Sequence, residues 1–554
     1  MNTAFFERHE QTLRNAIRAC RERSYWSAYS ERPSAKDYGE TAVQDGQAAF
    51  EARLDKPFPL EQPGTVGQVG EERSPYGRSL GITYPQADLD ALLETVEETR
   101  QSWSRAEIDK RAGVCLEILD RINKRSFEIA NAVMHTTGQG FMMAFQAGGP
   151  HAQDRALEAV AYAYEEMNRT PAEASWEKPQ GKHDPLRLKK TFHVVPRGIG
   201  LVIGVSTFPT WNSYPAIFAN LVTGNAVLVK PHPGAVLPLA ITVEIAREVL
   251  RDAGFDPNVI TLVADTQDSP VAKELATRPE IGLVDFTGGS QFGEWLEAHV
   301  RAPVFTEKSG VNCVVIDSTD DFKGMANNLA FTLSLYSGQM CTSPQNIFVP
   351  AGGIETDQGH KSFDEVAAAI TGSIDKLLDD DTRAVNILGG IQSEATQRRI
   401  GEAAKKGRVL LASRSIRHPE FENARVHTPL VLEIDANEGE AYEQELFGPI
   451  TFIVRTANTQ ESLSRTLHAA REKGAITFGV YSTDDQVLEA AEETALKGGV
   501  ALSANLTGGV YVNQTAAFSD YHATGANPAA NACFSDAAFV ANRFRVVQSR
   551  RHAA

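Results

Sequence analysis

Cys341 stands in the stretch Leu335-Tyr336-Ser337-Gly338-Gln339-Met340-Cys341-Thr342-Ser343-Pro344-Gln345, a Gly/Ser/Pro-rich turn that follows an apolar, helix-like run. Glu307, in Thr306-Glu307-Lys308-Ser309-Gly310, precedes it by 34 residues (341 − 307). A cysteine and a glutamate on separate loops suit thioester chemistry: the thiolate attacks a carbonyl carbon and the carboxylate activates water. The thiol has two other roles open to it, a metal ligand or a small apolar core residue. Metal ligation is disfavoured, since no second Cys or His stands at ligand spacing and the chain has no CxxC, HExxH or P-loop. Cys115 takes the core role. With Ala112, Leu119 and Ile122 it recurs at steps of three and four, which places it on the buried face of a helix.

Two further stretches suit a nucleotide. Gly288-Gly289-Ser290-Gln291-Phe292-Gly293 follows the apolar run Gly282–Phe286 and opens a helix-like segment. Glycines at such a turn let backbone N–H groups approach a ligand, and a helix start favours an anion; the same composition also makes ordinary loops. Val227-Leu228-Val229-Lys230-Pro231-His232-Pro233 ends a strand with a lysine. Its ammonium is placed either to meet ribose or phosphate oxygens or to lie solvated at a loop mouth. His232 reads as a loop residue.

The elements that must position these groups change character along the chain. From about 87 to 135 the spacing predicts helices, after a helical start and a Pro/Gly-rich stretch (PFPLEQPGTVGQVGEERSPYG) that reads as extended surface chain. Between 192 and 290, short apolar runs (Gly198–Val205, Ala226–Val229, Val259–Val263, Gly282–Phe286) alternate with helical segments such as Leu239–Leu250 and Pro270–Ala276. Strands apolar on both faces, separated by helices, form a covered parallel sheet. Ligands bind outside the carboxyl ends of such strands. A second α/β pattern runs from about 306 to 500, before a tail rich in Gly, Asn and Ala.

With 554 residues the chain needs two or three domains. Its 54 Lys and Arg against 71 Asp and Glu give a net charge of −17, which argues against nucleic acid or anionic membrane as partner. The N-terminal residues carry charges every few positions instead of a signal-peptide apolar core. No apolar run approaches a membrane span, and five widely spaced cysteines suit reduced thiols in a cytoplasm.

Taken together, the motifs resemble the NAD(P)-dependent aldehyde dehydrogenase superfamily over roughly residues 85–550. The strand-end lysine of LVKPHP, the turn FTGGSQFG, the pair Glu307 and Cys341 at the family interval, and Glu445-Leu446-Phe447-Gly448-Pro449 carry the match. Within the superfamily, STFPTWNSYP, VKPHP, TEKSG and the long N-terminal extension are similar to PaaN-type enzymes of phenylacetate degradation. The resemblance implies an α/β fold. A Rossmann-type cofactor domain would span 85–305 with part of 500–537, a catalytic domain 306–500, and oligomerisation strands 180–196 and 538–554, after an extension over 1–84. It implies Cys341 as nucleophile, Glu307 as the activator of water, Lys230 on the adenine ribose and Glu445 on the nicotinamide ribose. Phe447 would pack near the nicotinamide, with Gly288, Gly289 and Gly293 at the pyrophosphate. The segment 515–536 resembles the substrate-mouth loop, and a strand is expected over 538–548. Expected partners are a small aldehyde, a semialdehyde of aromatic catabolism, and further copies of the chain in a homodimer or homotetramer.

Three departures from the family pattern bear on the chemistry. The family's oxyanion-hole asparagine aligns with Thr207, so the Thr207 hydroxyl is expected to fill that role, with Asn212 as the alternative. The carboxylate expected three residues after the lysine is Pro233, which leaves room for a 2′-phosphate; NADP is therefore expected to be at least tolerated beside NAD and is a candidate for the preferred cofactor. TEKSG replaces Glu-Leu-Gly-Gly around Glu307. A CoA-acylating dehydrogenase is the nearest rival, but acylating members generally lack the water-activating glutamate. A catalytically silent binding protein on the same fold would lack nucleophile or base, and both are present here.

Overall fold

The computed structural model describes residues 4–553. Five parallel strands form the first sheet: β1 (Ile199–Ile203), β2 (Ala226–Lys230), β3 (Ile260–Leu262), β4 (Ile281–Thr287) and β5 (Val304–Glu307). Their order is β3-β2-β1-β4-β5, so the chain reverses direction across the sheet between β1 and β4. Every residue of β1, β2 and β3 is buried, as runs apolar on both faces require. Helices Pro209–Val222 (α4) and Leu237–Asp252 (α5) connect β1 to β2 and β2 to β3. The four sequence-derived strand runs thus fall within two residues of the observed ones.

A second, seven-stranded sheet follows. Its strands are β6 (Asn312–Ile316), β7 (Pro344–Pro350), β8 (Arg408–Leu411), β9 (Leu430–Asp435), β10 (Ile450–Thr456), β11 (Thr477–Tyr481) and β12 (Ala501–Ala504), in the order β8-β9-β10-β7-β6-β11-β12. Only the pairing of β8 with β9 is antiparallel. Glu307 is the last residue of an edge strand of the first sheet, and five residues on, β6 opens inside the second. The glutamate therefore sits at the junction of the two sheets.

The N-terminal segment does more than run over the surface. Helix α1 (Ala4–Glu22) buries Leu13, Ala16, Ala19 and Cys20 against α2 (Ile108–Lys124) and α3 (Ala152–Asn168). The Pro/Gly-rich stretch is extended as expected, yet Phe58, Leu60, Glu72 and Tyr76 are buried in it. Two side chains explain why. The Gln62 amide donates to Leu262 O at 2.7 Å and accepts Leu262 N–H at 3.0 Å, completing the open edge of β3. Glu72 accepts the Val236 and Leu237 N–H groups at the start of α5, at 2.5 and 3.0 Å.

A three-stranded antiparallel sheet joins Glu173–Gln180, His183–Pro196 and Phe544–His552. The strand expected over 538–548 starts later than that. Asp536 accepts the Phe539 N–H at 2.8 Å and caps a short helix, Ala537–Ala541, before extended chain begins at Phe544. Cys115 is fully buried in the core, as its spacing required. Among the described residues no helix is long and apolar enough to cross a membrane.

Candidate functional site

Helix α7 (Phe322–Ser334) runs into a tight turn, Leu335–Gly338, whose backbone is left-handed at three successive residues: Tyr336 (φ 51°), Ser337 (φ 49°) and Gly338 (φ 62°). For L residues this conformation costs roughly 1–2 kcal/mol each, so neighbours must enforce it. They do. Tyr336 OH donates to Thr137 O at 2.6 Å, and Ser337 Oγ lies 3.0 Å from Leu388 O and 3.1 Å from His427 O. A Cβ on Gly338 would fall 2.5 Å from Gly448 O, so glycine is the residue the approach of the ELFGP loop admits. Beyond the turn, Asn312 on β6 holds the nucleophile's loop: its Nδ2 donates to Cys341 O (2.7 Å) and Ser343 O (3.1 Å), while its Oδ1 accepts the Ile476 and Thr477 N–H groups.

The turn delivers Cys341 to Glu307. The thiol lies beside the carboxylate, within 4.8 Å, and His522 completes the group, with its Nε2 3.0 Å from Glu307 Oε2. A carboxylate only accepts, so Nε2 carries the proton. Asn212 Nδ2 stands 3.4 Å from each Glu307 oxygen. Glu307 and His522 are almost completely buried. Burial pushes Cys341 well above the ordinary thiol range, and the negative charges of Glu307 and Glu445 push the same way. Burial also works to raise Glu307, but the field and hydrogen bond of His522, with those of Cys341 and Asn212, outweigh it and hold the carboxyl below its usual range. The resting site is a protonated thiol facing a carboxylate ready to accept a proton.

The thiol, the carboxylate and the imidazole each place one ligand atom within 4.8 Å of the others. No Cys or His stands at ligand spacing from Cys341 along the sequence, yet folding brings a histidine beside it. His522 lies far off in sequence and close in space. Its ring meets Trp211 edge to face at 4.5 Å. The segment carrying it is clamped by two buried residues of α3. Arg155 donates to Asp520 O, Ser535 Oγ and Thr515 Oγ1 at 2.7–3.0 Å, and Glu158 accepts the Phe518 N–H at 3.1 Å.

Thr207 and Asn212 part company. Thr207 is buried in the loop before α4, and its carbonyl accepts the Gln139 amide at 2.8 Å. Asn212, one turn into α4, is the one whose side chain contacts Glu307. The altered TEKSG neighbours are also accounted for. Lys308 pairs with Glu297 at 2.8 Å, while Ser309 and the Gly310 N–H bond to Glu445. Burial raises Glu445 above the usual carboxylate range, with those two bonds opposing. Phe447 is half-buried, and its carbonyl accepts from Arg399 at 2.5 Å.

At the carboxyl ends of the first sheet, the crevice where the strand order reverses is lined by Ile203, Asn212, Thr287 and Phe534. Gly289 caps helix Ser290–His299 (α6) with no side-chain hydrogen bond, and a Cβ there would meet nothing within 4 Å. An exposed helix start in an open cradle suits a pyrophosphate. Gly288 is excluded from bearing a side chain by the Phe286 ring, 2.6 Å from the Cβ position, and its N–H donates to Glu307 O. Gly293 also has a packing role. Its missing Cβ leaves space for the Lys308 stem, which would otherwise lie 2.5 Å away. Lys230 is buried and paired with Asp265 at 2.6 Å. Acceptance of NADP was expected from the absence of a carboxylate at Pro233; Asp265 places one against Lys230 from just past the neighbouring strand.

Residues 73–526 match the profile of the aldehyde dehydrogenase family. The chain belongs to that family. An NAD-dependent aldehyde dehydrogenase from Burkholderia multivorans is 59% identical, with a TM-score of 0.99 over the whole of both chains. The N-succinylglutamate 5-semialdehyde dehydrogenase of Paraburkholderia xenovorans is 25% identical, over 80% of this chain and 84% of its own. A Thermus thermophilus 1-pyrroline-5-carboxylate dehydrogenase shares the fold at 17% identity, with a TM-score of 0.76 over 96% and 99% of the two chains.

In this aldehyde dehydrogenase, sequence reasoning missed His522, Asn312 and Asp265. His522 carries no local signal, because only the folding of the tail places it. Asp265 had one: it follows the strand beside β2, and the carboxyl ends of neighbouring parallel strands lie side by side.

Proposed function

We propose that the protein oxidises an aldehyde to the carboxylate through a thioester on Cys341, which water then hydrolyses. The observation that carries this reading is the buried Glu307 carboxylate beside the Cys341 thiol, with His522 Nε2 3.0 Å from one of its oxygens. Glu307 takes the thiol proton as sulfur bonds to the aldehyde carbon. The oxyanion so formed would have a donor in the Asn212 amide, which stands 3.4 Å from both Glu307 oxygens. The nicotinamide cofactor, when bound, accepts the hydride that leaves this carbon. Glu307 first releases the thiol's proton to solvent and then removes a proton from water as it attacks the thioester; the carbon–sulfur bond breaks, and the departing Cys341 thiolate regains its proton from Glu307.

The residues present fit that cofactor. Gly289 and the start of α6 would hold the pyrophosphate, Glu445 and Phe447 would flank the nicotinamide end, and Lys230 would mark the adenosine end. NAD is the favoured dinucleotide.

The substrate's body meets apolar side chains. Phe208, Leu335 and Tyr336 form a buried cluster against which Trp211, Phe331 and Met340 pack; Leu335 and Tyr336 belong to the turn that delivers Cys341, and Trp211 meets His522. This supports an aldehyde with an apolar or aromatic body, in line with the resemblance to enzymes of phenylacetate degradation. The relatives named for N-succinylglutamate semialdehyde supply the competing candidate. Hydrolysis is favoured over transfer to CoA because Glu307 is present and placed. Assembly into a homodimer or homotetramer through the strand Phe544–His552 is part of the same reading.

The test measures reduced-cofactor absorbance and product for aromatic and aliphatic semialdehydes, N-succinylglutamate semialdehyde among them, with and without CoA. The reading expects free acid in either case and the highest kcat/KM for an apolar substrate. Acyl-CoA as the product would overturn it.

A further inference from the structure

The adenosine end of the first sheet holds a pairing of charges that the lysine motif alone does not supply. Lys230 closes β2, and Asp265 stands three residues past the end of β3, its neighbour in the sheet. Lys230 Nζ lies 2.6 Å from Asp265 Oδ1 and donates to Pro231 O at 3.0 Å. The two side chains are 6% and 1% exposed. The other carboxylate oxygen accepts the Val271 N–H at 3.0 Å, so neither Asp265 oxygen is left to turn away. Two residues on, the Gln267 N–H donates to Glu71 Oε1 at 2.8 Å, which brings an exposed carboxylate from the N-terminal segment to the same corner. His232, beside Lys230, is pushed down to about 4 by burial and by the Lys230 charge, so it adds no positive charge near neutral pH. The corner thus holds one ammonium and two carboxylates, although Pro233 supplies none.

We propose that Asp265, by engaging Lys230, with Glu71 adding a second negative charge, makes this corner reject a 2′-phosphate and so sets a preference for NAD over NADP. A phosphate brought here finds no unpaired cation and faces a net negative charge, whereas a 2′-hydroxyl meets no such cost. Asp265 acts through Lys230 and is a positioning residue. The inference rests on the reading that this end of the crevice takes the adenosine half of the cofactor.

The test compares kcat/KM for NAD and NADP in the wild type, Asp265→Asn, Glu71→Gln and Lys230→Met, with thermal unfolding as a check on folding. Asp265→Asn frees the ammonium, so the NADP/NAD ratio is expected to rise about fivefold to tenfold, the scale of one net hydrogen bond. That rise should shrink as ionic strength increases. Glu71→Gln, at an exposed position, should move the ratio the same way by less. Damage to packing alone would lower both cofactors together and leave the ratio unchanged. An unchanged ratio in both carboxylate variants, while Lys230→Met weakens NAD, overturns the role given to Asp265 and keeps the adenosine placement. A Lys230→Met enzyme with wild-type KM for both cofactors overturns the placement itself, and the proposal with it.

Discussion

His522 Nε2 and Glu307 Oε2 are 3.0 Å apart, although one residue ends the edge strand of the first sheet and the other comes from the tail of the chain. This buried contact is one of the interactions that keep Glu307 a carboxylate at the junction of the two sheets, where Cys341 also arrives.

The contact has a pH signature. Glu307 must be ionised to accept a proton, and His522 is among the groups holding its pKa down. Replacing His522 with Ala removes that support, so the Glu307 pKa rises and activity on the acid side fails at a higher pH than in the wild type. The acid limb of the kcat profile measures this. A limb that stays in place would show that His522 does not tune Glu307.

The thiol responds in the opposite sense. Cys341 lies above the ordinary thiol range partly because Glu307 is negative beside it. In Glu307→Gln that repulsion is gone and the thiol pKa falls. The pH dependence of alkylation by iodoacetamide should therefore shift to lower pH in the variant, while the wild-type thiolate appears only at higher pH than a free cysteine's.

Asn212 and Thr207 separate cleanly by mutation. Losing an oxyanion donor costs about 10²–10³ in kcat. Asn212→Ala is expected to show a loss of that size, and Thr207→Ala a loss below about tenfold, with KM for the cofactor unchanged in both. The reverse order would return the oxyanion role to Thr207.

The left-handed turn before the nucleophile is a point of rigidity. Gly338→Ala combines a positive φ with a Cβ placed 2.5 Å from Gly448 O. A destabilisation of about 1–3 kcal/mol is expected, read as a lowered Tm. Activity should drop with it, because the Cys341 and ELFGP loops can no longer approach as closely.

Much of this was legible in the residues. The fully apolar strands announced a covered parallel sheet, and burial of every residue in β1 and β2 follows from the same fact. The Cys341 turn, the helix before it and the Glu307 interval could be read directly, as could the core position of Cys115. What could not be read were contacts between distant segments. His522 meets Glu307 only because Arg155 and Glu158 clamp the tail, and the Lys230–Asp265 pair depends on which strands are neighbours. The hydroxyl at Thr207 drew attention because alignment fixes a position along the chain; helix α4 directs the Asn212 amide to Glu307 instead. Gly293 matched a motif, and its missing side chain also accommodates Lys308.

The most direct test of hydrolysis through a Cys341 thioester is the intact mass of Glu307→Gln after mixing with aldehyde and NAD. The account predicts slowed formation of about one reduced cofactor per site, because the thiol has lost its base, and then an acyl group that persists and maps to Cys341 by peptide mass. Full wild-type turnover in Glu307→Gln, with no acyl mass on Cys341 at any time, would contradict it.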